Sequence, residues 1–219
     1  KNDMVVGLTW GRTMKRLIDA FDEENLGKTL KIKGVQVVPF LGTNSPSSTD
    51  NDYLRLTYSS LLSSKLAELI RGINYSLPAP MYVKNPELYK LLIQEPEISI
   101  TLKKATQCQI ALIGIGLPNE DSAIGCLDEE KAQMLRELKK EGGVGEILGR
   151  VFDQNGQTIH SDFDQKIIGL SLEALRKIPT RVGIAYGTKK VEAIKVALQS
   201  GLINVLITDH LTAQELLKE

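Results

Sequence analysis

The run Val182-Gly183-Ile184-Ala185-Tyr186-Gly187-Thr188, followed at once by KKVEAIKVALQSG and then by INVLITD, constrains the fold more than any other stretch. A short apolar run enters a glycine turn, a helix-period segment leaves it, and a second apolar run follows, which is the pattern of a βαβ unit. Val191, Ile194 and Leu198 fall at i, i+3 and i+7, with Ala193 and Ala197 widening the stripe, so one face of this helix can lie on a sheet. Gly201 stands where a helix C′ residue takes the left-handed conformation. At the other end Gly187 and Thr188 open the helix, and its unbonded N–H groups and positive dipole end suit an oxyanion such as phosphate. Lys189 and Lys190 stand beside that end, where cations are unfavourable for the helix alone. They are either solvated surface lysines or cations set out for a bound anion. Neighbours on a helix point about 100° apart, so only one of the two can face a crevice squarely.

The same device opens the chain. Met4–Leu8 reads as a buried strand, Gly7-Leu8-Thr9-Trp10-Gly11-Arg12-Thr13 as a turn, and Met14, Leu17, Ile18 and Phe21 as the apolar face of the next helix. Two such turns at the C-terminal ends of parallel strands converge on one crevice. The spacing misses the P-loop pattern by one residue and has Arg for its Lys, so a nucleoside triphosphate site is not expected.

Charge narrows the partners. With 27 basic and 27 acidic residues cancelling, the chain has no global positive field to hold a nucleic acid, and no run of five like charges replaces it, so it is not expected to bind DNA itself. No apolar run approaches the roughly 18–20 residues needed to span a bilayer, and the start KNDMVV lacks signal-peptide architecture, so no membrane partner and a cytoplasmic location are expected. Cys108 and Cys126 lack metal-ligand spacing and flank a strand-like segment. They read as reduced core thiols, and no metal or cofactor is implied. The chain starts at a lysine without an initiator methionine, which gives the expectation that an N-terminal module precedes it.

Between these units, Lys33–Leu41 reads as a second strand leading into the polar loop Gly42–Asp52, which is either a sugar-recognition loop or a linker. Asp50 or Asp52 is positioned to cap a helix whose apolar face is Leu54, Tyr58, Leu61, Leu62, Leu66, Leu69 and Ile70. LPAP followed by Met81-Tyr82-Val83 predicts a stiff connection into an edge or short strand, and Pro86–Gln94 and Ile98–Thr106 two short helices. Gln109–Gly116 is the central-strand candidate, ending in a third glycine turn, Gly114-Ile115-Gly116. A charged amphipathic helix runs from Leu127 or Asp128 to Lys140 with Ala132, Leu135 and Leu138 inward. Val144–Asp153 reads as a strand into the turn Gln154-Asn155-Gly156, with Glu146 either facing the crevice or solvated. Gln165–Ser171 reads as another strand and Leu172–Ile178 as a short helix.

The ordered set VGLTWGRT, VVPFLGT, LPAPMYV, IALIGIG, GGVGEILGRVFDQNG, VGIAYGTKKVEAI and GLINVLITD resembles the effector-binding domain of the SorC/DeoR-type sugar-binding transcriptional regulators over essentially the whole chain. The resemblance implies a Rossmann-like α/β fold of the ribose-5-phosphate isomerase and glucosamine-6-phosphate deaminase type, a mostly parallel sheet with helices on both faces, without isomerase activity. It implies residues 1–219 as one effector domain, a helix-turn-helix domain N-terminal to it through which operator DNA is bound, and self-association to a dimer or tetramer. The implied ligand is a sugar or sugar phosphate. Carried over by position, Gly7, Thr9, Gly11, Arg12 and Thr13 match the first ligand loop and Gly42, Thr43 and Asn44 the second. Glu146 matches the acid that accepts sugar hydroxyls, and Lys190, after Gly187 and Thr188, the lysine that contacts phosphate. Gly114 and Gly116 complete the set through the third turn. The loop Gly42–Asp52 holds no lysine, so non-covalent binding is expected.

A sugar-phosphate isomerase or deaminase is the rival reading, because such a fold does not settle function. It requires a general base, and His160 and His210, the two histidines, read as surface or capping residues, leaving Glu146. Self-association is also expected from the partly apolar helices around Leu54–Ile70 and Ala132–Leu138.

Overall fold

The structure, a computed structural model, describes residues 3–24, 33–43 and 58–218. The described strands are β1 (Val5–Leu8), β2 (Gln36–Pro39), β3 (Ile73–Asn74), β4 (Ile110–Gly114), β5 (Gly145–Ile147), β6 (Arg150–Phe152), β7 (Thr180–Ile184) and β8 (Val205–Ile207). The helices are α1 (Arg12–Glu23), α2 (Ser59–Leu69), α3 (Pro86–Leu92), α4 (Pro96–Ala105), α5 (Glu129–Lys140), α6 (Leu172–Leu175), α7 (Val191–Gln199) and α8 (His210–Leu216). Six strands form one parallel sheet in the order β3-β2-β1-β4-β7-β8, and β5 and β6 form a separate antiparallel pair.

Helices cover both faces of the sheet, as an all-parallel sheet requires. On one face Val6, Leu8 and Val37 pack against Met14 and Ile18 of α1 and Leu62 and Leu66 of α2. On the other, Val5, Val38, Ala111 and Ile113 belong to a core that includes Ala193, Ile194 and Ala197 of α7 and Leu135 and Leu138 of α5. The chain winds outward from β1 through β2 to β3, returns to the centre as β4, and winds the other way through β7 to β8. The strand order therefore reverses between β1 and β4, and a crevice opens beyond their C-terminal ends. This is the Rossmann-like arrangement expected from the sequence.

Several local readings change. The apolar face of α7 is Ala193, Ile194, Val196 and Ala197, with Leu198 left exposed, because the two alanines permit the closest approach and draw the contact line toward themselves. Helix α2 starts at Ser59 with Tyr58 at the N-cap, and Leu61 is exposed; Leu54, Asp50 and Asp52 lie outside the described residues. The stretch Val144–Asp153 is a hairpin rather than one strand. Leu148 and Gly149, with φ of 59° and 75°, make its two-residue loop, the left-handed pair that a tight hairpin requires. Residues 165–171 form a short 3₁₀ turn and then isolated bridges, Ile167 with Tyr82 and Gly169 with Leu41, so neither this segment nor Met81–Val83 is a regular strand. Its backbone alternates between partners, Ile168 N–H donating to Met81 and Leu170 N–H to Phe40. Cys108 is buried, with its thiol pushed up to about 12 by burial, but Cys126 is exposed and not a core thiol. Ala132, Leu135 and Leu138 are buried within the chain, as are Leu62, Leu66 and Ile70, whereas Leu61 is exposed. Gly201 takes the left-handed conformation expected of it, with φ of 72°. No helix among the described residues is long and apolar enough to cross a membrane.

Candidate functional site

Three turns converge on the crevice. After β1 come Thr9 to Thr13, after β4 the turn Gly114-Ile115-Gly116, and after β7 the turn Gly187 to Lys190; with the β5–β6 hairpin they line a cleft of about 480 Å³. That volume lies in the range of roughly 300–1,000 Å³ usual for small-molecule sites.

The cleft floor is fixed by backbone. The Thr9 hydroxyl, buried, accepts a hydrogen bond from Gly114 N–H at 2.9 Å and so clamps the end of β1 to the end of β4. Gly116 and Glu146 exchange both backbone hydrogen bonds, at 2.9 and 3.0 Å, which pins the hairpin against the end of β4. A Cβ on Gly116 would stand 2.5 Å from a Glu146 carboxylate oxygen, so only glycine lets the carboxyl lie here. The other carboxylate oxygen accepts Gly149 N–H at 2.6 Å across the hairpin turn.

Glu146 is buried, and burial pushes its carboxyl up to about 7, against the Gly149 hydrogen bond and the Lys190 charge, which hold it down. Lys190 reaches in from the opposite wall and donates to the Ile115 carbonyl at 2.6 Å. Burial lowers its pKa, Glu146 raises it, and Arg12 lowers it again. A buried acid thus faces a largely buried base, with the exposed Arg12 at the rim donating to the Asp121 carbonyl.

The local sequence explains these placements. Gly187, at φ 99°, turns the chain from β7 into a 3₁₀ turn, Thr188–Lys190, that leads into α7. This rotation puts Lys190 inside and leaves Lys189 and Thr188 exposed, although all three line the cleft. Gly11, at φ 108°, does the same for α1 and delivers Arg12 and Thr13.

Of the residues expected from the sequence, Thr9, Gly11, Arg12, Thr13, Gly114, Gly116, Glu146, Gly187, Thr188 and Lys190 meet in this cleft. Gly7, Gly42 and Thr43 do not line it. Gly7 lies within β1, where a Cβ would strike the Phe40 ring. Gly42 donates to Ile168, and Thr43 is zipped to Ala79 and Met81, so both are held in the irregular bridges beside the sheet. Asn44 lies outside the described residues. His160 and His210 are exposed and away from the cleft.

The structure adds Trp10, Asn119, Asp121, Ser122, Leu148 and Tyr186 to the lining. The polar turn-forming run Pro118–Ser122 directly after the third glycine turn was the available signal. Tyr186 carried none, because its role depends on Arg16 of α1, which donates to its hydroxyl and lies 5.5 Å from its ring centroid. No group of His, Cys, Asp and Glu able to hold a metal occurs among the described residues.

A doubly wound parallel sheet with an anion-suited cleft at its switch point defines a small-molecule-binding α/β domain. Residues 1–218 match the Sugar-bind family model, a sugar-binding domain, and the chain belongs to that family. It is similar to the uncharacterized transcriptional regulator YjhU of Escherichia coli (strain K12), 32% identical over 220 residues that cover 99% of this chain and 62% of that protein. It is 28% identical over 222 residues to the deoxyribonucleoside regulator of Bacillus subtilis (strain 168), covering 100% of this chain and 66% of that one. The full-length sorbitol operon regulator SorC from Klebsiella pneumoniae superposes with a TM-score of 0.85 at 25% identity, over 98% of this chain and 66% of SorC. The chain thus spans less than two thirds of the length of these regulators.

Proposed function

We propose that this chain is the effector-binding part of a cytoplasmic bacterial transcriptional regulator of carbohydrate metabolism and holds a phosphorylated sugar non-covalently in the cleft. The observation that carries the reading is the pairing of Lys190 and Glu146, both drawn into one cleft beside two glycine-led helix starts. The phosphate takes the Lys190 ammonium, Arg12 and the N–H groups that follow Gly187 in charge-assisted hydrogen bonds. The sugar hydroxyls donate to Glu146, and a sugar that leaves this buried acceptor unpaired loses roughly 1–3 kcal/mol. Binding adjusts self-association to a dimer or tetramer, and thereby the affinity of an N-terminal helix-turn-helix domain for operator DNA.

Glu146, with its raised pKa in a cleft, is also what a general base would look like, so an enzyme acting on sugar phosphates is the second reading. The relatives' being transcriptional regulators supports the sensor. A thermal-shift and calorimetric screen of pentose and hexose phosphates against their neutral parents tests it, since a ligand at 100 times its Kd adds about 2.7 kcal/mol to stability. Phosphorylated sugars should raise the Tm and the parents much less. Equal binding of a neutral sugar refutes the phosphate half of the site, and rapid turnover followed by NMR favours the enzyme.

A further inference from the structure

We propose that Glu146 holds an ammonium group carried by the ligand, so that the sugar phosphate taken by this cleft is an amino sugar phosphate. The proposal rests on the functional reading above and names the class of sugar within it. Glu146 is only 6% exposed. Its Oε1 accepts Gly149 N–H, whereas among the described residues its Oε2 accepts no hydrogen bond and neither oxygen forms an ion pair. A charge taken out of water is ordinarily paired or bound to a metal. Among the described residues no group of His, Cys, Asp and Glu could hold a metal. Glu146 lines the cleft, so its missing partner comes with the ligand.

Lys190 does not fill this role. Its ammonium donates to the Ile115 carbonyl at 2.6 Å, and its charge favours the ionised carboxyl less than the Gly149 hydrogen bond does. A bound phosphate then claims that charge, and Glu146 loses the nearby cation that helped it. The charges of the cleft lead to the same ligand. With both carboxyls ionised, Arg12, Lys189 and Lys190 stand against Asp121 and Glu146, an excess of one positive charge. A phosphate brings roughly −1.5 to −2 at neutral pH. A neutral sugar phosphate therefore overshoots, and one ammonium on the sugar brings the total close to zero. A hydroxyl donating to Glu146 satisfies a lone pair but leaves the buried charge uncompensated, whereas an ammonium does both. Asp121 is exposed to solvent and needs no such partner.

Titration calorimetry at pH 7 tests the assignment with glucosamine, galactosamine and mannosamine 6-phosphates beside glucose, galactose and mannose 6-phosphates. At least one amino form should bind wild type about tenfold or more tighter than its neutral parent. Glu146→Gln keeps an acceptor oxygen but not the charge, and it should bring that amino form down to the level of its parent. Circular dichroism establishes that the variant is folded, and the wild-type comparison stands without it should it fail to fold. Binding of the neutral parents with no gain from any amino form overturns this proposal and leaves the functional reading standing. A gain that survives Glu146→Gln also overturns it, because the ammonium is then held elsewhere. Binding of none of the six phosphates sinks the functional reading and this proposal with it.

Discussion

Replacing Glu146 by glutamine should stabilise the ligand-free protein at alkaline pH while weakening its grip on a sugar. The carboxyl is raised from 4.5 to about 7, with burial as the leading cause. Because the folded state holds this proton more tightly than the unfolded one, the stability it contributes is intact below about pH 4.5 and is lost as pH rises toward and through 7. At about 1.36 kcal/mol per pKa unit, the ionised group costs the fold about 3 kcal/mol at pH 8 but under about 1 kcal/mol at pH 5. Glutamine keeps an oxygen to accept Gly149 N–H and never ionises. For a chain of this size, at ~2–4 °C per kcal/mol, Glu146→Gln should melt about 6–12 °C above wild type at pH 8. The two should nearly coincide at pH 4. Calorimetric melting across pH 4–8 reads this directly. A wild type as stable as the variant at pH 8 would mean that the carboxylate is already paid for by partners such as Lys190, and would refute the claim that the cleft stores this cost for a ligand to relieve.

The ligand contacts give further expectations. Lys190→Ala should weaken sugar-phosphate binding about tenfold or more, through loss of a charge-assisted contact of about 1.5–3 kcal/mol, whereas the exposed Lys189→Ala should change it little; calorimetry on both decides. The apo fold will register Lys190→Ala by the loss of its hydrogen bond to Ile115, offset by removal of a buried cation. Gly116→Ala drives a methyl into the Glu146 carboxylate and should cut affinity more than Tm, because the clashing atom ends a side chain that can swing aside. Thr212→Val leaves Gly187 N–H with Asp209 alone and should cost roughly 1–2 kcal/mol of stability together with a measurable loss of phosphate affinity. Sugar binding by wild type should strengthen as pH rises through about 7, since the ionised carboxylate is the better acceptor; Glu146→Gln should flatten that profile.

Much of the cleft is legible in the sequence. A glycine at the end of an apolar run, followed by a period of three to four, is a local signal, and it located the turns after β1, β4 and β7 together with Arg12, Thr188 and Lys190. The same locality leaves long-range partners out of the reading. Gly42 and Thr43 carry the composition of a ligand loop, but their backbone groups are committed to Ile168, Ala79 and Met81, partners remote in sequence. Tyr186 and Asp121 gain their places only through Arg16 and Arg12. The hairpin was hidden because its turn sets Leu148, a residue with no bias toward positive φ, in the left-handed region, a strain of roughly 1–3 kcal/mol that only tertiary packing sustains.

Periodicity and glycine placement in the chain alone dictate a parallel α/β sheet whose turns suit an anion, because helix and strand spacing and backbone freedom are properties of a few neighbouring residues. Strand order, and with it the reversal between β1 and β4 that gathers three turns into one cleft, belongs to pairing across more than a hundred residues. So does the state of each charged group within the cleft. Lys190 is drawn in and Lys189 left out by the rotation of one turn against Ile115, and Glu146 is an acid near neutrality because the fold removes it from water. Desolvation depends on everything packed around a side chain, and no stretch of sequence contains that information by itself.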